Sequence, residues 1–128
     1  MARQGPRAPQ FLPCVPEFDQ PITPADVIFS LDALKMASPM YAQYYKDVAS
    51  AEQTGERQVT FRFSSKGNRE LPHIVAEISI LPKHWWAAKA ANGEQRDIMK
   101  SSLELPLGSG PYKVKSFETG RRIVFERV

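Results

Sequence analysis

What the sequence does without narrows its chemistry first. Its one cysteine, Cys14, has no partner, which excludes an internal disulfide and a thiolate metal cluster. The two histidines, His73 and His84, flank an extended stretch with no cysteine or carboxylate pair at a ligand spacing, so no metal site is expected. A phosphate loop and a dinucleotide fingerprint are both missing, and no cofactor is expected. No apolar run approaches the roughly eighteen residues needed to span a bilayer, so membrane insertion is not expected. The basic start, Met1 to Arg7, is followed by no apolar stretch of the kind a secretory signal needs, and the chain as written would stay in the cytoplasm.

Charge of one sign is also scarce. Seventeen Lys and Arg against fourteen Asp and Glu give a formal +3, with both signs interspersed along the chain. A nucleic-acid surface would need a concentrated basic patch. Arg121 and Arg122 instead sit between Glu118 and Glu126, so no nucleic-acid partner is expected. Nor is a nucleophile: Gly108-Ser109-Gly110 leads into Pro111 and a strand, whereas a hydrolase elbow joins a strand to a helix. The chain is therefore not expected to be an enzyme.

Proline is the residue in excess, eleven in 128, with Pro6, Pro9, Pro13 and Pro16 crowded near the start. Residues 1–17 are expected to be an extended or disordered arm. Thr23-Pro24-Ala25-Asp26 then marks a helix start, with Thr23 as cap, Pro24 where its missing N–H costs nothing, and Asp26 beside the positive end of the dipole. The helix is predicted over 24–37, with Val27, Ile28, Leu31 and Leu34 as a buried stripe, Phe29 at its flank, and Asp32 and Lys35 in water. Ser38-Pro39 repeats the start signal, predicting a short helix from Met40 to Lys46 that carries Tyr41, Tyr44 and Tyr45. These rings suit packing between helix and sheet better than a stacking platform, because no basic cluster accompanies them.

Val48–Glu52 and Arg57–Ser64 read as strands of a hairpin turned at Thr54-Gly55-Glu56, with Val59, Phe61 and Phe63 on one face. Glu70–Glu77 reads as one or two helical turns. Ile78–Leu81 is extended, and a helix opens after Pro82 and is predicted to reach Ala91, with Asn92-Gly93 as its stop. Its Trp85 and Trp86 are the better candidates for ligand contact. Residues 94–104 are predicted as a short helix anchored by Ile98, Met99 and Leu103. A closing hairpin, turned at Glu118-Thr119-Gly120, runs to Val128. Ending inside a sheet leaves a strand edge unpaired, so the chain is expected to be a fragment, and copies of it are expected to pair through those edges.

Taken in order, these stretches resemble a known family. Gln20-Pro21-Ile22-Thr23-Pro24-Ala25-Asp26-Val27-Ile28-Phe29-Ser30-Leu31 is similar to a segment of the family 5 extracellular solute-binding proteins, the oligopeptide and dipeptide receptors of ABC importers. Asp47–Ser50 with Val59–Phe63 resembles the next hairpin of that family. Asn68–Pro72 with Ile80-Leu81-Pro82-Lys83-His84-Trp85-Trp86 resembles its microcin C and oligopeptide receptor branch. Pro106-Leu107-Gly108-Ser109-Gly110-Pro111-Tyr112 resembles its glycine element. The resemblance covers Phe18 to Val128.

It implies an α+β fold, a small antiparallel sheet with packed helices over 18–105 and a glycine-led hairpin over 106–128 that returns toward a missing main lobe. The whole would be part of a two-lobed periplasmic binding protein. The implied function is capture of peptides or peptide-like solutes for an ABC permease, in the periplasm, without ligand binding by this chain alone. The implied ligand-lining residues are Glu77, Ile78 and Ser79. A small protein-interaction or nucleic-acid-binding module is the alternative.

Overall fold

The structure, a computed structural model, describes residues 20–128. The proline-rich arm, Cys14, Phe18 and Asp19 lie outside the described residues. The chain divides into two units, one formed by Thr23–Glu104 and another that includes Leu105–Val128. Helices and two separate two-stranded antiparallel sheets make it α+β, as the sequence led us to expect.

In the first unit α1 spans Pro24–Ala37, with Thr23 at its N-cap and Ser38 closing it in extended backbone. The same serine caps α2, Pro39–Tyr44, by accepting the Met40 N–H at 3.2 Å. One residue thus ends one helix and starts the next, because a serine before proline disfavours helical backbone at its own position while its hydroxyl satisfies an orphan donor. Strands β1 (Val48–Gly55) and β2 (Gln58–Phe63) follow, pairing Ala51 with Phe61 and Gln53 with Val59. Helices α3 (Leu71–Ala76) and α4 (Lys83–Ala87) complete the unit.

The core is small. Leu31, Leu34, Tyr45 and Val48 are buried together, with Ala51, Phe61, Ile74, Val75, Ile78 and Leu81 packed around them. Two expectations for α1 fail here. Asp26 and Ser30 are buried as deeply as the leucines, whereas Val27 and Ile28 are only half-buried. Lys35 does not stand in water: it is half-buried and its Nζ donates to the Val48 carbonyl at 2.6 Å. A long apolar stem with a polar tip gains from covering apolar surface while its head finds an acceptor. Phe63, expected on the core face, is 37% exposed at the end of β2.

The second unit holds β3 (Tyr112–Glu118) and β4 (Arg122–Arg127). Gly120 takes φ +73 in the turn between them, a left-handed conformation that a side chain disfavours. Val114 opposes Phe125 and Phe117 opposes Ile123, with an irregularity between Val114 and Ser116. Glu126 meets Lys113 at 3.0 Å and Lys115 at 3.4 Å. Tyr112, Ile123 and Phe125 are 61%, 59% and 60% exposed, so the ribbon carries an apolar surface in water.

Candidate functional site

The three residues singled out from sequence stand where α3 ends. Glu77 is the C-cap of α3, its N–H donating to the His73 carbonyl at 3.1 Å. Its side chain is exposed and Oε2 accepts the Tyr44 hydroxyl at 3.2 Å. That hydrogen bond, then desolvation, then the charges of Glu77 and Glu70 push the Tyr44 phenol above its ordinary range. Tyr44 meets Tyr45 edge-on at 5.1 Å, and Tyr41 stacks on Tyr45 at 6.2 Å. Burial raises Tyr45 as well, so both phenols stay protonated donors near neutrality. Ile78 is half-buried against the core, and Ser79 is exposed. The triplet therefore presents two polar side chains to solvent around one apolar anchor.

Among the described residues, no strand pairs with the segment 78–82. Helix α1 supplies partners for its backbone. Ser30 Oγ accepts the Leu81 N–H at 2.7 Å while donating to the Asp26 carbonyl at 2.6 Å. Asp26 Oδ1 accepts the Lys83 N–H at 2.9 Å. Its Oδ2 accepts both the N–H and the hydroxyl of Thr23, each at 2.8 Å. Burial alone would push the Asp26 carboxyl up. Donation by Thr23 and Lys83, with the charge of His84 adding to it, outweighs burial and holds the carboxyl below its usual range. Two polar residues inside α1 thus satisfy the backbone N–H groups of Leu81 and Lys83, donors that would otherwise be left unpaired where the chain packs on the helix. Sequence reading missed this, since the partners are 51 and 57 residues apart.

Beyond α4 the structure departs from expectation twice. The helix stops at Ala87, not Ala91, because Ala88 is extended. Residues 94–104 form turns and irregular chain, not a helix. One cause accounts for both. The carbonyls at the end of α4 are claimed by side chains from downstream: Arg96 Nη1 donates to Trp85 O at 2.7 Å and to Ala88 O at 3.3 Å. Gln95 Nε2 donates to Trp86 O at 3.1 Å and to Ala87 O at 3.3 Å. A helix end needs its last carbonyls satisfied, and here two residues of the following loop do it in place of another turn.

Arg96 is fixed in turn by Glu104, with Nε to Oε2 at 2.8 Å and Nη2 to Oε1 at 3.2 Å, and it lies 4.0 Å above the Trp85 ring. The arginine's hydrogen bonds hold the Glu104 carboxyl below the usual glutamate range. Trp85 is buried, and Trp86 meets it at right angles with centroids 4.9 Å apart. Between these rings and the loop lies an open depression of about 520 Å³. Both tryptophans that the sequence offered as ligand contacts line it, Trp85 buried and Trp86 half-buried. Among the described residues, no group of three or more His, Cys, Asp or Glu side chains is gathered to hold a metal ion. No helix among them is long and apolar enough to cross a membrane.

Residues 19–128 match the bacterial extracellular solute-binding proteins, family 5 Middle. Over 108 residues the chain is 50% identical to protein y4wM of Sinorhizobium fredii, covering 84% of this chain and 16% of that one. It is 47% identical over 108 residues to the probable peptide-binding protein YejA of Agrobacterium fabrum, covering 84% and 18%. The crystal structure of a periplasmic oligopeptide-binding protein of an oligopeptide ABC transporter from Thermotoga maritima superposes with a TM-score of 0.63 at 29% identity, covering 84% of this chain and 19% of that one. The chain therefore spans less than a fifth of the length of these relatives.

Proposed function

Because the chain belongs to the bacterial extracellular solute-binding proteins of family 5, matched over residues 19–128, we propose that it serves the capture of peptides or peptide-like solutes for an ABC importer. The observation that carries this reading is the match, 47% identical over 108 residues, to a relative named as a probable peptide-binding protein. The structural likeness to a periplasmic oligopeptide-binding protein supports the same cargo class and a site of action outside the cytoplasm. Capture rather than catalysis is the role.

In this reading Glu77 and Ser79 offer polar groups to the solute, and Ile78 fixes the segment on the core. The unit of residues 23–104 is a small α+β domain, and the hairpin of 106–128 leads from it toward a main lobe. Residues 1–128 alone supply one surface of a cleft that needs two. Isothermal calorimetry with short peptides is therefore expected to give no heat of binding with this chain, and micromolar affinity would refute the two-surface requirement. Replacing the corresponding segment of the Agrobacterium relative by residues 20–128 is expected to preserve whatever peptide binding that relative has. Loss of binding in a folded chimera would refute the peptide assignment. We further infer that copies of the chain pair through the strand edges of β3 and β4. A light-scattering mass that stays at the monomer value of 14.4 kDa across a wide concentration range would refute that pairing.

A further inference from the structure

We propose that the depression beside α4 is a separate binding site for a neutral saccharide ring, with Trp86 as its apolar wall and Asn92, Ser101 and Ser102 on its polar rim. Its volume of about 520 Å³ falls within the range of small-molecule sites, about 300–1,000 Å³. A sugar ring has an apolar C–H face and a hydroxyl periphery. It is matched by an indole beside hydroxyl and amide groups, as an amphipathic aromatic at a wet boundary provides.

Charge decides the ligand class. The lining carries Arg96, Lys100, Glu94, Asp97 and Glu104. Arg96 is forked onto Glu104, and Lys100 faces Asp97 at 3.8 Å. Glu94 Oε2 accepts Asn92 Nδ2 at 2.9 Å. The two cations and three carboxylates of the lining are interspersed and partly satisfied by one another or by Asn92, so a charged ligand would meet no concentrated opposite charge, whereas a polyol can bond to the amide and hydroxyl groups.

The wall is also built before any ligand arrives. Gln95 and Arg96 fasten the loop to the end of α4, and Arg96 lies over Trp85, so of the two rings that line the depression Trp86 is the more exposed. A site whose side chains are fixed by their own hydrogen bonds loses little entropy on binding.

The test is a titration of the 128-residue chain with cellobiose, maltose and chitobiose, followed by tryptophan fluorescence and by the two indole N–H signals in nitrogen-edited NMR. The expected result is saturation with Kd on the order of 1–10 mM for at least one of the three, and a larger shift for the Trp86 indole than for Trp85. Trp86→Ala is expected to weaken binding at least about tenfold, while Trp86→Phe keeps a ring and most of the affinity. The doubly substituted Ser101→Ala, Ser102→Ala chain tests the rim without touching a ring, and a weaker Kd is expected. Responses that stay linear for all three sugars overturn the proposal. So does undiminished binding by a folded Trp86→Ala chain, or a charged dipeptide that binds the depression more tightly than every sugar. Peptide binding in the chimera described above is read separately, so either proposal can fail while the other stands.

Discussion

Asp26→Asn is the substitution that most directly probes how the first unit is held. The carboxylate is buried, 6% exposed, and accepts on both oxygens: Lys83 N–H on one, Thr23 N–H and hydroxyl on the other. An amide of the same shape has one acceptor and one donor. Either orientation sets its NH2 against a backbone N–H, that of Lys83 or that of Thr23. Hydrogen bonds to a charged group are worth about 1.5–3 kcal/mol each, and a loss of about 2 kcal/mol is the expected minimum at neutral pH. For a unit of this size that corresponds to a fall in Tm of roughly 8–16 °C.

Urea unfolding followed by tryptophan emission measures it, since Trp85 is buried two residues from Lys83. The pH dependence adds a second reading. A carboxyl held below its unfolded value contributes stability that is fully present above that value, 3.8, and is lost as pH falls through the lower folded one. The gap between native and Asp26→Asn chains should therefore be widest near neutrality and close in strong acid, where Asp26 itself becomes a neutral donor. A gap under about 0.5 kcal/mol at pH 7, the usual scale of surface substitutions, would refute the reasoning. A gap that fails to narrow in acid would refute the electrostatic part of it.

Two further substitutions test neighbouring contacts. Ser30→Ala removes the acceptor of the Leu81 N–H at a fully buried position and is expected to cost about 1–3 kcal/mol by urea unfolding; an unchanged midpoint would show that water or another group takes over. Glu104→Gln breaks the forked pair that fixes Arg96, and limited trypsin digestion is expected to cut faster at Lys89, Arg96 and Lys100. Equal cutting rates in the two chains would mean that Gln95 alone holds the loop.

Local signals carried far in this sequence. Thr23-Pro24 and Ser38-Pro39 place both ends of α1, because cap and proline act on their own backbone and need no distant partner. The alternation in 58–63 and the Gly120 turn likewise locate both hairpins. What the sequence concealed depends on contacts across long separations. Asp26 and Ser30 look like surface positions until the segment they bond is in place. Asn92-Gly93 looks like a helix stop, yet α4 has ended five residues earlier, since Gln95 and Arg96 reach back to its carbonyls. The tryptophans stood out by residue type alone, but only the position of Arg96 distinguishes the buried ring from the half-exposed one. For Glu77, Ile78 and Ser79, periodicity offers no mark, and their selection rested on resemblance.

The bonds from Asp26 to Lys83 and from Ser30 to Leu81 also bear on how the chain reaches this state. Both close loops of more than fifty residues, at an entropic cost of about 3–4 kcal/mol. On a ribosome α1 emerges long before the residues that satisfy its buried polar groups. Until Lys83 is synthesised, Asp26 and Ser30 would oppose the burial of the very helix face they later secure. High contact order of this kind slows folding. The expected order of events is a hairpin of β1 and β2 forming early, with α1 docking as one of the last steps.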